Sequence, residues 1–368
     1  MRPCSKAIPD GRLPLFPTTA KRTSCMSVDD PMVHAHDHPN SDDDSGDGPD
    51  LSQEDARSDT SSEITELRTE EFPDYFQERG NRLFHSHGRS PYPLPVDAHE
   101  QARYDEQHVL LHRLIGEHFV GPVEEVLQAL PGEERHVVDL GTGTGKWVME
   151  MAQRFPHVRF DGIDIVPIAT RYPGPRVQFE MQDLGERFRY QDGTIDFVHG
   201  RSISMAVENY PRLLQEVARV LRPGGLFVAC EWGRMPVNRM NPAIPAPGLC
   251  NFFDAVLRAL QMRGGVHPTG PQIPGWIRQS GKFDRLHVQQ FDVPIGEWTS
   301  DPVFREVGRK FADTLKTYTE SVRMLLIDYG ISEVNIQALI DGALRELDTV
   351  PGMIFTYHTV HARRTRRM

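Results

Sequence analysis

The chain of 368 residues is long enough for one large α/β domain or two smaller ones, and its 38% hydrophobic content supports a real core. Its net charge of −11 is concentrated in one segment, because eleven acidic residues and one basic residue lie between Asp29 and Asp59. The remainder carries about −1 and offers no broad basic face for nucleic-acid phosphates, so nucleic acid is excluded as an expected partner.

The four cysteines form neither a CxxC pair nor the dense, even spacing of a secreted disulfide scaffold. They predict reduced thiols and no metal site. The sequence contains no run that approaches the roughly 18 consecutive apolar residues of a membrane span, and its N-terminus lacks the apolar stretch of a secretory signal. We therefore expect a soluble protein without a membrane partner, located in the cytoplasm or, as an alternative, in the nucleus.

Residues 1–70 are rich in Ser, Asp, Pro and Gly and cannot bury enough apolar surface to offset chain entropy. They predict a disordered acidic N-terminal tail. The histidines of HAHDH (34–38) lie inside this tail, where no second shell fixes their geometry, so only adventitious metal binding is expected there.

Residues 71–130 are predicted to form a helical N-terminal cap. After a proline-rich lead-in, Asp97 is followed three positions later by Glu100, which resembles a capping box and predicts the start of a long helix. Four residues at helical spacing share one face of this helix: Tyr104, His108, Leu111 and Ile115. This face is expected to lie against a core, with His108 as a packing residue.

From residue 131 to 232, short apolar strands alternate with amphipathic helices, the pattern of parallel βαβ units. Strands are predicted over 136–140, 158–164, 177–183, 194–200 and 226–231. Helices are predicted over 145–155 and from Asn209, an expected N-cap, to the RPGG stretch at 222–225.

Residues 233–368 are predicted to supply substrate-cap helices and the final strands of the sheet. Helices are expected over 249–262 and 301–347, and strands over 283–295 and 353–362. The terminal HARRTRRM is interpreted as a solvated basic end, with a nuclear-localisation signal or an anionic partner as alternatives. The predicted fold is α/β: a seven-stranded, doubly wound, Rossmann-like sheet with helical insertions.

The stretch VVDLGTGTGKW (137–147) joins a strand to a helix through three glycines and exposes backbone N–H groups to a ligand. A P-loop is disfavoured, because the spacing from Gly141 to Lys146 is one residue short and Trp147 stands where the magnesium-binding hydroxyl belongs. A dinucleotide loop fits less well, because Gly145 comes one position early. An NAD-dependent oxidoreductase therefore remains the weaker alternative.

Asp139, Gly141, Gly143 and Gly145 follow a third pattern, an acidic residue and then x-G-x-G-x-G, which resembles motif I of the class I S-adenosylmethionine (SAM) dependent methyltransferases. The resemblance implies that this loop, with Thr142 and Thr144 between its glycines, holds the amino-acid end of SAM. The carboxylate of SAM suits the loop N–H groups, and its ammonium suits a carboxylate such as Asp139.

Two further acidic residues follow at the ends of strands. Asp164, 19 residues after Gly145, suits the two ribose hydroxyls, as in other nucleoside-binding α/β folds. In the family pattern, the acid at the position of Asp183 receives the adenine amino group, while Met181, Gln182 or Leu184 borders the ring. The resemblance thus adds these cofactor-binding residues beyond the loop: Asp164, Ile165, Gln182, Asp183, Leu184 and Arg201.

Four segments occur in the order found in fungal methyltransferases related to the secondary-metabolism regulator LaeA: YPLPVDAHEQARYDEQH, VVDLGTGTGKWVMEMAQRFP, IDIVPI and VQFEMQDLGERFRYQDGTIDFVHGRS. The resemblance covers about residues 92–231 and is weak in the C-terminal third, where the acceptor would be selected. That family contains natural-product methyltransferases and nuclear regulators, so the resemblance leaves the acceptor open.

Methyl transfer from a sulfonium depends mainly on in-line positioning, and a base is required only if the acceptor arrives protonated. The HGRS stretch (199–202) replaces the (Asp/Asn/Ser)-Pro-Pro-(Tyr/Phe) motif of enzymes that methylate amino groups of bases or glutamine, which argues against that chemistry. His199, Arg201 and Glu231 are candidates for a chemical role, with structural roles as the alternative. The sequence assigns no catalytic residue.

The sequence thus predicts a SAM-dependent methyltransferase that acts on oxygen or nitrogen of a small-molecule acceptor in specialised metabolism. Aromatic residues in the C-terminal insertions favour such an acceptor: Phe252, Phe253, Trp276 and Trp298. The alternative is a nuclear regulator of secondary metabolism that acts through a regulatory protein partner.

Overall fold

The computed structural model describes residues 66–242, 246–264 and 270–366. The predicted acidic tail up to residue 65, including HAHDH, lies outside the described residues. Within the described ranges, every helix is too short or too polar to cross a lipid bilayer.

The N-terminal part of the described chain contains a β-hairpin ahead of its helices. It begins with a 3-10 helix over Thr69–Tyr75, followed by β1 (Phe76–Arg79), β2 (Arg82–His85), α1 (Ala98–Ile115) and α2 (Val123–Val126). The hairpin turn consists of Gly80 and Asn81, with φ of 56° and 59°, the positive pair that a tight hairpin turn needs. A helical cap alone was expected here, although the Gly-Asn pair is a signal for a hairpin.

The predicted start of α1 is confirmed, although Glu100 does not complete a capping box. Asp97 accepts the N–H of Glu100 at 3.1 Å, as an N-cap should. Arg82 donates two hydrogen bonds to the Asp97 carboxylate, at 2.6 and 3.0 Å, and thereby fastens the hairpin to the helix.

The central sheet has eight strands, one more than predicted because of the two-residue β8. Its strands are β3 (Arg135–Leu140), β4 (Val158–Asp164), β5 (Val177–Met181), β6 (Ile195–Arg201), β7 (Leu221–Trp232), β8 (Val237–Asn238), β9 (Phe283–Pro294) and β10 (Met353–Arg364). The remaining helices are α3 (Lys146–Arg154), α4 (Tyr210–Val220), α5 (Pro247–Gly264), α6 (Ile273–Ser280), α7 (Pro302–Ser321), α8 (Arg323–Asp328) and α9 (Glu333–Leu347).

The strand order is β5-β4-β3-β6-β7-β10-β8, and β9 also pairs with β10. Strands β3 to β7 are parallel, whereas β10 runs antiparallel to its neighbours. The chain winds outward from β3 through β4 to β5 and then returns to place β6 on the other side of β3. The point between β3 and β6 is a topological switch, where ligands bind in open α/β sheets.

Helices cover both faces of the sheet, which confirms the doubly wound fold. Alternate strand residues enter two cores: Val137 belongs to the core formed with α1, α3, α5, α7 and α9, and Val138 belongs to the core formed with α4 and α6. Asn209 caps α4 as predicted and accepts the N–H of Arg212 at 3.0 Å.

Several predicted boundaries differ from the structure. Strand β5 ends at Met181, so Asp183 lies two residues beyond it. The helical stretch expected over 301–347 consists of three helices, α7, α8 and α9, and α6 was not predicted. Glycine with positive φ helps to separate α8 from α9, since Gly330 has φ of 93°.

The basic C-terminal residues are part of the sheet as far as Arg364, so the prediction of a solvated end is wrong for them. Arg363 Nη1 donates to the carbonyl oxygen of Gly224 at 3.0 Å, and its Nη2 lies 3.0 Å from a carboxylate oxygen of Glu125. Arg364 donates to the carbonyl oxygen of Leu221. These arginines thus bind backbone carbonyl groups in the N-terminal part of β7.

A buried carboxylate, Glu100, joins α1 to α7. Its Oε1 accepts hydrogen bonds from Arg103 Nε and Nη2 at 2.8 and 2.6 Å, and its Oε2 accepts the Ser321 hydroxyl at 2.5 Å. Glu100 has no exposed surface, so its charge is stabilised by these donors rather than by water. Removing it would leave Arg103 buried without its counter-ion.

We expect Glu100→Ala to lower the free energy of unfolding by about 3–5 kcal/mol, because breaking one side of a buried ion pair leaves the other charge uncompensated. Glu106→Ala on the same helix removes an exposed partner of Lys310 and should cost no more than about 1 kcal/mol. Urea denaturation followed by tryptophan fluorescence measures both values. Equal losses for the two variants would contradict the role of Glu100.

Candidate cofactor and acceptor site

One cavity of about 230 Å³ extends from the carboxyl edge of β3, β4 and β6 to the helices that cover this edge. Ten of the twelve predicted cofactor-binding residues line it: Asp139, Gly141, Thr142, Gly143, Thr144, Asp164, Ile165, Gln182, Leu184 and Arg201. The other two, Gly145 and Asp183, lie behind the cavity wall. The structure therefore brings the predicted residues together from four strands.

The loop after β3 is held in shape by its own backbone and by Asp164. The N–H of Thr142 donates to the carbonyl oxygen of Ile163 at 3.0 Å, and the N–H of Gly143 donates to Asp164 Oδ2 at 2.8 Å. The Gly143 amide, expected to be open to a ligand, is thus already bonded to a carboxylate of the site. Burial raises the pKa of Asp164, and the bonds from backbone amides oppose that rise.

Gly145 shapes the loop without touching the cavity. It caps α3 with φ of 77°, and a Cβ at this position would lie 2.5 Å from the Phe179 ring. At Gly143, φ is 58° and a Cβ would meet only Tyr104, at 4.0 Å, on the cavity wall. Gly145 is therefore required by packing, whereas Gly143 keeps space for a ligand.

Asp139 is held by His199, its direct partner across the β3–β6 pair. His199 Nδ1 donates to Asp139 Oδ1 at 2.7 Å, and the imidazole stacks on Trp147 with ring centroids 3.9 Å apart. Burial lowers the pKa of His199, which favours the neutral ring with its hydrogen on Nδ1. His199 thus orients Asp139, which lines the cavity.

Arg201 is held by His108, which was predicted to be only a packing residue. Arg201 Nη2 donates to His108 Nδ1 at 2.9 Å, so the neutral imidazole carries its hydrogen on Nε2 and donates it to Glu150 Oε2 at 2.6 Å. Burial, reinforced by the positive charge of Arg201, lowers the pKa of His108 to about 4, against the opposing effect of Glu150. A neutral His108 is therefore the form that positions Arg201.

His108, His118 and Glu150 also have ligand-type atoms within 4.8 Å of one another. A histidine bound to a metal through Nε2 carries its hydrogen on Nδ1 and donates it to an acceptor. Here Nδ1 of His108 faces an arginine donor instead. The group fits a chain of hydrogen bonds from Arg201 to Glu150 better than it fits a metal centre.

Asp183 connects the N-terminal segment to the sheet. Its Oδ2 accepts the N–H of Arg89 at 2.9 Å, and its Oδ1 accepts the N–H of Gly185 at 2.8 Å. Its neighbours Gln182 and Leu184 line the cavity. The expected contact of Asp183 with an adenine amino group therefore stays a prediction.

The upper part of the cavity is covered by a roof from α5 and α7, together with Trp232 and Phe355. The roof residues that line the cavity are Phe253, Val256, Leu257 and Leu260 from α5, and Phe311, Thr314, Leu315 and Tyr318 from α7. Trp232 stacks on Phe311 with centroids 4.7 Å apart, and Phe253 meets Phe355 edge to face at 4.8 Å. These contacts produce an aromatic chamber next to the cofactor edge.

Of the four aromatic residues expected to surround an acceptor, only Phe253 lines the cavity. Phe252 is buried in the core, Trp276 stacks on Tyr210 on the other face of the sheet, and Trp298 Nε1 donates to the carbonyl oxygen of Met353. Tyr92 and Arg103 also line the cavity, from the N-terminal cap, and were not predicted as site residues. Tyr92 precedes α1 and Arg103 lies within it, so their place in the segment ahead of β3 was the available sequence signal.

Gly143→Ala and Gly145→Ala form a matched pair, because both positions have positive φ and share the same backbone cost. We expect Gly145→Ala to be less stable than Gly143→Ala by about 1–3 kcal/mol, owing to overpacking against Phe179. Gly143→Ala should fold but bind SAM more weakly, because its methyl group enters the cavity. Thermal unfolding and titration calorimetry test the pair, and a less stable Gly143→Ala would refute the assignment.

His108→Gln should change the pH dependence of stability. The folded pKa of about 4 lies below the unfolded value of about 6.5, so the unfolded state takes up the proton first and wild type loses stability as pH falls through this window. We expect the melting temperature of His108→Gln to fall less between pH 7 and pH 5 than that of wild type. The exposed His99→Gln is the control, and parallel curves for all three proteins would contradict the prediction.

Comparison with known proteins supports the interpretation of the loop and strands. A family model described as "Methyltransferase domain" matches residues 137–225. The chain is 29% identical over 281 residues to "Secondary metabolism regulator laeA" of Coprinopsis cinerea, across 73% of this chain and 69% of that protein. It is 26% identical over 277 residues to "Methyltransferase pytC" of Aspergillus terreus, across 74% and 82% of the two chains.

Among solved structures, a phosphoethanolamine N-methyltransferase 2 of Haemonchus contortus in complex with SAM aligns with a TM-score of 0.43 and 14% identity, across 81% of this chain and 72% of that one. The matched family domain begins in β3, includes the glycine loop and ends in β7. With the motif I geometry at the topological switch, the family model and the two curated relatives identify the chain as a SAM-dependent methyltransferase similar to the LaeA-related proteins, with SAM as its methyl donor.

Proposed function

We propose that this methyltransferase transfers a methyl group to oxygen or nitrogen of an apolar small molecule bound under the roof of α5 and α7. The observation that carries the proposal is the continuity of the cavity. The same space is lined by Asp139 and Asp164 at the cofactor edge and by Phe253 and Phe311 in the roof. An acceptor under the roof would therefore lie next to the donor without crossing solvent.

The chemical character of the cavity supports a small, largely apolar acceptor. Its roof consists mainly of aromatic and aliphatic side chains, and the charged lining residues nearby, among them Arg103, Glu231 and Arg234, lie outside α5 and α7. Apolar walls with a small number of oriented polar groups are typical of small-molecule sites. Specific hydrogen bonds at these positions would then orient the acceptor heteroatom.

The chain's own residues would hold the donor in place. Asp139, oriented by His199, supplies a carboxylate for the ammonium group of SAM, and Asp164 supplies one for the ribose hydroxyls. Arg201, oriented by His108, supplies positive charge for the donor carboxylate. SAM when bound supplies the electrophilic methyl group, and most of the acceleration would come from positioning.

A regulatory role is the second candidate. It is supported by the printed name of the Coprinopsis cinerea relative, a regulator of secondary metabolism. In that case the protein would act in the nucleus through a protein partner, whereas a metabolic enzyme would act in the cytoplasm. The two roles differ in whether a small molecule carries the transferred methyl group.

The test uses purified protein with methyl-labelled SAM and a panel of phenols, carboxylic acids and amines. We expect label in a small-molecule product. Leu257→Trp, which fills the roof, should remove product formation and leave SAM affinity unchanged, whereas Arg258→Trp at the exposed neighbouring position should leave both unchanged. Label transferred only to protein, or equal product from both variants, would overturn the proposal.

A further inference from the structure

We propose that Glu231 is the catalytic base of this methyltransferase and that its acceptor is a phenol, bound with its ring in the aromatic chamber and its hydroxyl at the Glu231 carboxylate. The inference rests on the proposed function and deepens it, because it selects oxygen over nitrogen and a planar aromatic over other small molecules. It follows from the position of Glu231, the contacts that orient it and the chemistry of the roof.

Glu231 stands where the two halves of the cavity meet. It is the penultimate residue of β7, and β7 pairs with β6 so that Cys230 lies opposite Arg201 at the cofactor edge. The next residue, Trp232, stacks on Phe311 and belongs to the roof. Glu231 lines the cavity although its exposed fraction is only 2%, so bulk water has little access to it.

Backbone and side-chain donors fix the orientation of the carboxylate. Glu231 Oε1 accepts the N–H of Ile203 at 2.8 Å and the N–H of Ser204 at 3.0 Å. Arg234 Nη2 donates to the Ser204 hydroxyl at 2.5 Å, and the Ser204 side chain also hydrogen-bonds with Glu231. With Oε1 committed to two amides, Oε2 is the atom assigned to the acceptor.

The environment makes this carboxylate a suitable base near neutral pH. Burial raises the pKa of Glu231 to about 7, although the positive charge of Arg234 and the bonds from Ser204 and Ile203 oppose the rise. A general base is most effective when its pKa is close to the working pH. The ionised fraction of Glu231 is therefore substantial at neutral pH, and its basicity exceeds that of an exposed glutamate.

Several titratable and charged groups interact with Glu231: Tyr210 from α4, Cys230 from β7, Arg234 after β7 and Tyr357 from β10. Arg201 from β6 acts on two of these groups, Cys230 and Tyr357. Burial raises the pKa of Tyr210 and Tyr357 well above the usual tyrosine value and that of Cys230 to about 12, so these groups stay protonated at neutral pH. Glu231 is the member of this set that titrates near pH 7.

A phenol matches both parts of this arrangement. Its ring can pack against the faces and edges of Trp232, Phe253, Phe311 and Tyr318, which line the chamber. Its hydroxyl is mostly protonated at neutral pH and needs a base during transfer. The hydroxyl proton moves to Glu231 Oε2 as the phenol oxygen forms its bond to the methyl carbon. The carbon–sulfur bond breaks with its electron pair on sulfur, and Glu231 returns the proton to solvent after product release.

Glu231→Gln separates this role from a structural one, because glutamine keeps a carbonyl oxygen for the amides of Ile203 and Ser204 but cannot take a proton. With 4-methylphenol, which is un-ionised near neutral pH, we expect the variant to lose about 10²-fold or more in kcat. With 4-nitrophenol at a pH where it is ionised, the variant should stay within about threefold of wild type, because no base is required. Glu216→Gln changes another carboxylate that accepts a backbone N–H, outside the cavity, and should behave as wild type with both phenols.

A binding measurement gives a readout independent of turnover. The absorbance of 4-nitrophenol reports its ionisation, and the phenol is titrated with pH while bound to protein saturated with S-adenosylhomocysteine, the demethylated product of SAM. A neighbouring carboxylate disfavours the phenolate, so bound 4-nitrophenol should have a higher apparent pKa on wild type than on Glu231→Gln. Equal values, or equal kcat losses with both phenols, would overturn the role of Glu231.

The same experiments distinguish failure of this inference from failure of the proposed function. If no phenol binds or is methylated while an amine or carboxylic acid in the panel is, the phenol assignment is wrong and small-molecule methylation stands. If the protein binds SAM and labels no small molecule, both proposals are wrong.

Discussion

The site depends on two carboxylates at the ends of adjacent parallel strands, one buried (Asp139) and one half-buried (Asp164). Asp139 and Asp164 lie on β3 and β4 beside the topological switch, and a buried carboxylate needs hydrogen-bond donors to remain charged. His199 supplies a donor to Asp139, and the Gly143 amide supplies one to Asp164. The bond from Gly143 also helps to hold the glycine loop in shape. The ammonium and ribose hydroxyls of SAM are further donors of the kind that these carboxylates accept.

The N-terminal and C-terminal parts of the described chain combine to enclose the site. Arg103 and Tyr104 on α1 line the cavity from one side, while α5 and α7 line it from the other. Glu100 joins these walls through Arg103 and Ser321. The acceptor chamber therefore depends on the ion pair between Glu100 and Arg103, which lies outside the glycine motif. Substitutions in α5 and α7 can change which acceptor binds without affecting SAM, because the residues predicted to bind SAM lie on the strands and on the loops that follow them.

The cofactor edge was predictable from the sequence because its determinants are local. A strand, a glycine loop and a helix follow one another within VVDLGTGTGKW, and strand periodicity indicates where Asp164 lies. The roof was less predictable, because its contacts join segments far apart in the chain. Phe252 and Phe253 illustrate this. They are adjacent in α5, yet Phe252 lies in the core and Phe253 lines the cavity, and only the packing of α5 decides the difference.

The hydrogen-bonding partners of Asp139 and Arg201 could not be predicted from the sequence either. His199 was a candidate for a chemical role until β3–β6 pairing placed it beside Asp139, and His108 gained its partner Arg201 from 93 positions away. Burial lowers the pKa of both imidazoles, which favours their neutral forms, and each ring orients a neighbouring side chain. Residue type alone does not distinguish such a histidine from one that contacts an acceptor, since the difference lies in which atoms each ring nitrogen faces.

A crystal structure of the complex with S-adenosylhomocysteine tests most directly whether Asp139 and Asp164 hold the methyl donor. We expect the amino group of the ligand at Asp139, its ribose hydroxyls at Asp164 and its sulfur directed toward the chamber beside Glu231. A ligand with its nucleoside under the roof of α5 and α7, or bound outside the cavity, would contradict it.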